Sequence, residues 1–141
     1  MKFFPSNTKY KKYFRLHLIK KGVCFKVSQL CFGNVGIRCL ENAYITSKQI
    51  ESIVLFLRKK LKKQGQVWFR VFPDISVVRK PGELRMGKGK AKHSFWACAI
   101  RKGKIVFEVE GLNKMELWDV MGECSAKLPF RTRVLVKNYS I

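Results

Sequence analysis

Acidic residues are scarce in this sequence, in which 9 Asp and Glu face 30 Lys and Arg and the net charge is +21. In a chain of 141 residues such an excess causes strong self-repulsion unless a polyanion lies against much of the surface. Histidine is scarce too, with 2 residues, and the 5 cysteines include no C-x-x-C pair. A zinc ribbon or a disulfide framework is therefore not expected. The cysteines are interpreted as buried free thiols, and neither a metal nor any other cofactor is predicted.

Long apolar runs are also absent. No stretch approaches the roughly 18 apolar residues of a membrane span, and no long basic amphipathic helix stands beside the fold. Hydrophobic residues nevertheless make up 47% of the chain, which is enough for the core of one domain. The expected polyanion is therefore nucleic acid, and neither a membrane nor a small-molecule substrate is predicted as a partner.

The residue types that catalysis needs are too dispersed to form a site. His93 precedes Ser94, but adjacent side chains of an extended chain point apart, and no nearby acid is positioned to orient the imidazole. Glu108 and Glu110 share one face of a strand, where pairing with neighbouring lysines is the ordinary role. No catalytic residue is predicted, and an enzyme such as a nuclease is the least favoured class.

Hydrophobic periodicity predicts the order strand, helix, strand, loop, hairpin, helix, strand. The expected fold class is α+β, a two-layer sandwich in which two helices lie on one face of a mixed or antiparallel sheet. The stretch CFGNVGIRC contains two glycines and an asparagine and is interpreted as a loop. The predicted strands are 22–30, 67–72, the hairpin of 95–100 with 105–110, and 132–136.

Two capping boxes predict where the helices begin. Thr46 with Gln49 opens the first, which Gly65 is expected to end, and Asn113 with Glu116 opens the second, which Pro129 stops. The residues expected on the buried faces are Ile50, Ile53, Val54, Leu57 and Leu61 in the first helix and Leu117, Val120, Met121, Cys124 and Leu128 in the second.

The segment from Asp74 to Ser94 is unusually long for a connection inside a compact domain, and such loops are usually functional. It contains GELRMGKGKAKHSFW, which is dense in glycine and basic residues. Gly82 to Lys88 resembles a nucleotide-binding P-loop, but Gly89 replaces the Ser or Thr that would hold magnesium. We interpret the segment as an exposed loop whose bare backbone and cations approach nucleic acid.

Residues 1–21 are predicted to form a basic RNA-binding arm, and residues 22–141 a single α+β domain. Tyr10, Tyr13 and Phe14 alternate with basic residues, which suits stacking on bases, so the arm is expected to make few contacts with the domain. A mitochondrial targeting segment is the alternative, but the arm is lysine-rich rather than arginine-rich.

The stretch VWFRVFPDISVVRKPGELRMGKGKAKHSFW, with its Phe-Pro-Asp, Lys-Pro and Arg-Met-Gly-Lys-Gly-Lys elements, resembles the family of large ribosomal subunit protein sixteen of bacteria and organelles. The similarity covers almost the whole chain and includes AKLP before the last strand. It departs from the family at Ala91, where a glycine is usual.

The resemblance implies a structural constituent of the large ribosomal subunit. Its expected partners are large-subunit rRNA, the tRNA in the aminoacyl site (A site) and neighbouring ribosomal proteins. The basic loop would point toward the peptidyl transferase region, and the protein would support late assembly and tRNA positioning. The alternative is a free-standing factor that binds RNA or tRNA outside the ribosome.

The predicted RNA-binding residues have two sources. The resemblance places loop contacts at Arg79, Lys80, Arg85, Met86, Gly87, Lys88, Gly89 and Lys90. Charge and position add Lys9, Lys11, Lys12, Arg15, Lys59, Lys62, Lys63, Arg70, Lys92, His93, Lys127 and Arg131.

The amino-terminal sequence helps to predict the cellular compartment in which the protein works. PSNTKYKKYFR is similar to the family's mature start, which leaves little room for a cleaved presequence. Ser6 and Asn7 replace basic residues there, and the chain is rich in Phe and Lys. These features favour an organelle-encoded protein of the mitochondrial ribosome, with a plastid or the bacterial cytoplasm as alternatives.

Overall fold

The computed structural model of the chain describes residues 3–12, 22–24, 28–62 and 64–137. The α+β class is confirmed, since helices and strands alternate irregularly around one hydrophobic core. In chain order the elements are β1 (Val35–Cys39), β2 (Ala43–Thr46), α1 (Ser47–Leu61), β3 (Gln66–Phe69), β4 (Ile75–Val78), β5 (His93–Ile100), β6 (Ile105–Glu110), α2 (Lys114–Ala126) and β7 (Thr132–Val136).

The strands form two sheets, with the order β3-β6-β1-β7 in one and β2-β5-β4 in the other. All of the described strand pairs are antiparallel. The predicted hairpin of β5 with β6 is wrong, because these strands belong to different sheets. The turn between them is bound to the end of β1: Cys39 N–H donates to the Lys104 carbonyl at 2.9 Å, and Gly103 N–H donates to the Cys39 carbonyl at 2.8 Å.

The first half of the chain was the least well predicted. Strand β1 lies in the stretch interpreted as a loop, and its Val35, Ile37 and Cys39 are buried between β6 and β7. Pairing on both edges overrides the local loop signal of the glycines. Within the strand predicted at 22–30, the structure has an isolated bridge of Val23 with Lys102, and 25–27 lie outside the described residues.

Helix α1 begins at the predicted capping box. Gln49 N–H donates to Thr46 Oγ1 at 3.3 Å, and Thr46 N–H donates to Gln49 Oε1 at 2.9 Å. The helix ends earlier than predicted, at Leu61, because Lys62 already has the left-handed conformation with φ of 44°. The second capping box is wrong, since the Asn113 side chain makes no capping hydrogen bond.

Both predicted helix faces are confirmed. Helix α1 packs on β2, β5 and α2, while α2 packs on β1 and β7. The buried residues are Ile50, Ile53, Val54, Leu57 and Leu61 of α1 and Leu117, Val120, Met121, Cys124 and Leu128 in and after α2. Across the described ranges, no helix combines the length and the apolarity that crossing a membrane requires.

The expectation that the arm makes few contacts with the domain is wrong for its described part, residues 3–12. Phe3 is 5% exposed and belongs to the core, and its ring meets that of Phe69 edge-on at a centroid distance of 5.4 Å. Ser76 Oγ donates a hydrogen bond to the carbonyl oxygen of Lys11. The described amino-terminal segment is therefore bound to the domain near both of its ends, by the burial of Phe3 and by the hydrogen bond at Lys11.

Candidate nucleic-acid interface

The basic loop runs from residue 79 to 92, between β4 and β5. It is shorter than the predicted 74–94 connection, because β4 and the start of β5 take residues from both ends. Nearly every residue in it is exposed, and the Met86 side chain is fully open to solvent. The prediction of an exposed loop is confirmed.

The tip of the loop has an unusual backbone. Gly87, Lys88 and Gly89 have φ angles of 100°, 54° and 75°, so three successive residues lie at positive φ. Glycine adopts this conformation without a steric penalty, whereas Lys88 accepts it at a small cost. Lys80 Nζ donates to the Gly87 carbonyl at 2.6 Å and spans the base of the turn. The turn itself is exposed.

An open pocket of about 540 Å³ lies where the loop meets the amino-terminal segment. Lys12 comes from that segment, and the other walls come from the loop and the start of β5. Many cations around one concave surface focus a positive potential that attracts phosphate. The predicted site residues that line it are Lys12, Arg79, Lys80, Lys88, Gly89, Lys90, Lys92 and His93.

His93 is held by its neighbours in one tautomer. Ser76 Oγ lies 2.7 Å from His93 Nδ1 and donates its own proton to the Lys11 carbonyl. The hydroxyl has one proton, so Nδ1–H must be the donor to Ser76. Burial, followed by the nearby charge of Lys11, lowers the pKa of His93. A neutral ring with hydrogen on Nδ1 leaves Nε2 as an acceptor, so His93 offers no positive charge to phosphate near neutral pH.

The exposed part of the amino-terminal segment retains the features expected for RNA contact. Tyr10 is 72% exposed, and Lys9 Nζ lies 5.6 Å from its ring centroid. Lys9, Lys11 and Lys12 are all exposed. Tyr13, Phe14 and Arg15 lie outside the described residues.

A second basic patch lies at the end of α1 and does not line the pocket. Lys127 Nζ is 4.8 Å from the Phe56 ring centroid, and Lys60 Nζ is 5.6 Å from the same centroid. Through Phe56, Lys127 at the end of α2 lies beside the end of α1, where Lys59 and Lys62 are exposed. Lys60 was not among the predicted RNA contacts. Its position one helical turn after Phe56 could have indicated that it lies on the same face of α1. Lys63 lies outside the described residues.

Arg70 is not part of an exposed basic surface, and its prediction as an RNA contact is not supported by its surroundings. Its guanidinium forms an ion pair with Glu108, and the two side chains are 16% and 0% exposed. It also lies over the Phe32 ring, 5.5 Å from the centroid. The cation is therefore used inside the fold.

Glu108 was expected to pair with lysines and instead anchors the segment before β1. Its Oε2 accepts hydrogen bonds from three successive backbone N–H groups, those of Cys31, Phe32 and Gly33, at 2.9, 2.8 and 3.0 Å. Burial alone raises the pKa of Glu108, but the bonds from Gly33, Arg70, Phe32 and Cys31 outweigh it, and the pKa is lowered. A Cβ on Gly33 would lie 2.7 Å from the Val109 carbonyl oxygen, so only glycine fits there.

Arg131 is exposed, and its side chain lies 3.4 Å from Glu41. Such a surface pair is weak, which leaves Arg131 accessible to another anion. Ser76, through its contact with His93, and Leu84, as a pocket wall, also belong to the site and were not singled out in the sequence. Ser94, which was considered only as a nucleophile, is a further pocket wall. The contact of Ser76 with His93 depends on the pairing of β4 with β5.

The five cysteines are free thiols. Cys39, Cys98 and Cys124 are buried as expected, whereas Cys31 is exposed and Cys24 is half-buried. Burial raises the pKa of Cys124 to about 12, so this thiol is unreactive. Among the residues that the structure describes, no group of three or more His, Cys, Asp or Glu is placed to hold a metal ion.

Comparison with known proteins gives consistent matches along the chain. The family model described as Ribosomal protein L16p/L10e matches residues 5–135. A protein of Chelativorans sp. (strain BNC1) described as Large ribosomal subunit protein uL16 is 41% identical over 93% of this chain and 94% of its own length. Proteins with the same description from Karelsulcia muelleri (strain GWSS) and Methylorubrum extorquens (strain PA1) are 37% and 40% identical, over 95% and 93% of this chain and 97% and 94% of their own lengths.

Proposed function

The chain belongs to the ribosomal protein L16p/L10e family and is a structural constituent of the large ribosomal subunit, and we propose that its basic loop and amino-terminal segment together bind large-subunit rRNA. Family membership also confirms the prediction that the protein is not an enzyme. The alternative of a free-standing factor has no support from these relatives, each of which is described as a large-subunit protein.

The main support for this proposal is the pocket of about 540 Å³, because two separate basic segments line it. Lys12 and the loop lysines line the same pocket, so a strand of RNA in it would be contacted by both segments. The alternating spacing of Lys88, Lys90 and Lys92 suits successive phosphates along a backbone. The second patch, at Lys59, Lys62 and Lys127, provides a further place for rRNA.

The exposed backbone at Gly87 to Gly89 and the neutral ring of His93 complement these charges. Successive backbone N–H groups at a turn can bind a phosphate oxygen, and the absence of side chains on the glycines permits close approach. A Cβ on Gly87 or Gly89 would meet nothing within 4 Å among the residues that the structure describes, so the space beside them can admit RNA. His93 Nε2 can accept a hydrogen bond from a ribose 2′-hydroxyl, which is a feature of RNA rather than DNA.

The test of rRNA binding uses the salt dependence of affinity. Replacing Lys88 and Lys90 by Ala should lower the slope of log affinity against log salt by roughly 0.7 to 0.9 for each lost phosphate contact. The matched control is the Lys48→Ala, Lys102→Ala double variant, which removes two exposed lysines outside the pocket. An unchanged slope in the loop variant would identify the loop as a solvated connection.

We further propose that the loop tip faces the A-site tRNA, with Arg85 and Met86 as the leading side chains. Both are exposed, and neither lines the pocket. Arg85→Ala is expected to leave incorporation into the subunit nearly unchanged and to slow late maturation or tRNA accommodation. Wild-type rates of assembly and translation in ribosomes carrying Arg85→Ala would contradict this proposal.

We also propose that the ribosome is mitochondrial, on the basis of the 11 phenylalanines and the lysine-rich composition. The relatives reported above are bacterial, at 37% to 41% identity, which leaves room for a divergent organellar branch. Fractionation of cells, followed by sedimentation of ribosomes from each compartment in high salt, tests the location. Recovery of the chain with plastid or bacterial ribosomes would contradict it.

A further inference from the structure

Helix α2 exposes two parallel rows of residues on the half that faces away from the sheet. Positions three and seven residues apart lie on one face of a helix. The Trp118 row consists of Met115, Trp118 and Gly122, and the acidic row consists of Glu116, Asp119 and Glu123. All six positions are exposed. The Met115 side chain is 79% exposed and that of Trp118 is 48%, so a large apolar surface lies in water.

The part of the chain that the structure describes shows no packing reason for Gly122. Its φ is not positive, and a Cβ built on it would meet none of the described atoms within 4 Å. Glycine inside a helix weakens that helix relative to alanine. Within the described residues, neither conformation nor space requires glycine at this position. Gly122 leaves a notch beside Trp118 in which another molecule can come close to the helix backbone.

The charge of this surface is opposite to that of the rest of the protein. Helix α2 carries 3 of the 9 acidic residues of a chain with net charge +21, and Lys114 is its only basic residue. Glu123 already has a partner, since it lies 3.0 Å from Lys60 Nζ. Glu116 and Asp119, the other two acidic residues of α2, lie nearer the start of the helix. This surface repels phosphates and attracts cations, so it does not suit RNA.

We propose that the Trp118 row is a docking surface for another protein, and that its occupant is a basic segment with an apolar side chain that enters the notch at Gly122. Trp and Met are enriched at the centres of protein interfaces, and a polar rim of complementary charge sets orientation. This inference rests on the proposed place of the chain in the ribosome, where a helix face of this size suffices because the partner is held in the same particle.

The direct test is photo-cross-linking in assembled ribosomes. Met115 is replaced by photoreactive p-benzoylphenylalanine, and the matched control carries the same group in place of Leu55, which is 66% exposed on α1. The expected product at position 115 is a cross-link to a lysine- and arginine-rich segment of another protein, absent from the control. A cross-link to rRNA, to a second copy of this chain or to nothing would overturn the inference.

Three variants made with the position-115 cross-linker test the parts of the surface. Trp118→Ala should lower the cross-link yield about tenfold, as expected for the loss of an aromatic anchor. Gly122→Leu should lower it by filling the notch, and Glu116→Gln with Asp119→Asn should lower it by removing the rim charge. Far-ultraviolet circular dichroism of each chain confirms that α2 still folds. Wild-type yields from all three would overturn the inference.

Sedimentation of the same ribosomes distinguishes a failure of the proposed function from a failure of the docking surface. If the chain is missing from large subunits after a high-salt wash, the proposed function has failed and this inference fails with it. If the chain is present in full amount and position 115 contacts no basic protein segment, only the docking surface has been disproved.

Discussion

Arg70 and the loop at 79–92 are close in sequence and similar in charge, yet the fold uses them in opposite ways. The Arg70 side chain is 16% exposed and is paired with a carboxylate that is 0% exposed. Most of the loop cations are exposed, and all of them except Arg85 line an open pocket. A cation beside a buried carboxylate compensates that charge within the folded chain, whereas a cation in water can interact with an external polyanion. Basic residues in one segment can therefore serve folding or RNA binding, and only their surroundings distinguish the two roles.

The ion pair with Glu108 accounts for the low solvent exposure of Arg70. A carboxylate with no solvent exposure requires several donors, and it receives three backbone N–H groups in addition to Arg70. These donors come from the segment before β1 and from the residue after β3, which are neighbours of β6 on either side. The network therefore joins three parts of the chain around one charge.

The largest expected effect is on stability. Arg70→Met should lower the free energy of unfolding by about 3 kcal/mol, because removing one partner leaves Glu108 buried with a charge that only the backbone N–H groups compensate. The measurement is chemical denaturation in high salt, where the self-repulsion of the chain is screened.

The matched control is Arg131→Met, which breaks the exposed pair with Glu41. Surface pairs contribute little, so the change should stay within about 0.5 kcal/mol. Equal losses from the two substitutions would show that the Arg70 pair behaves as a surface contact and would remove the contrast with the loop.

Acid should weaken the Arg70 region selectively. The pKa of Glu108 is lower in the folded protein than in the unfolded chain, so its contribution is fully present above the unfolded pKa of about 4.3. It is lost as the pH falls through the lower folded pKa. Denaturation at a series of pH values should therefore show wild type losing stability below about pH 4, in excess of Glu108→Gln. Parallel pH profiles would exclude Glu108 as the source.

The smallest expected stability change comes from the loop. The Lys88→Ala, Lys90→Ala variant should unfold within about 0.5 kcal/mol of wild type, because exposed side chains contribute little to the folded state. Its RNA binding should change as described above. A decrease of more than about 1 kcal/mol in the free energy of unfolding would mean that the loop lysines, like Arg70, contribute to the folded state.

Prediction from sequence succeeded where neighbouring residues determine the outcome. The Thr46 capping box and the buried faces of both helices depend on spacings of three and four residues, which the sequence displays directly. The exposure of the loop follows from its charge, since six cations within 14 residues cannot pack against one another. Prediction failed for β1 and for the β5–β6 pairing, and it did not anticipate the ion pair of Arg70 with Glu108, because distant residues form these environments.

The sequence by itself determined the chemistry of this protein: a net charge of +21, a glycine-rich basic loop and the residue pattern of a ribosomal protein family. The tertiary structure decided which charges face outward. Arg70 is enclosed because Glu108 lies 38 positions away in the chain and adjacent in the sheet, and Lys12 joins the loop pocket because Phe3 and Ser76 hold its segment in place. Contacts over such separations depend on how strands are ordered in a sheet, and that order is a property of the whole chain rather than of any local pattern.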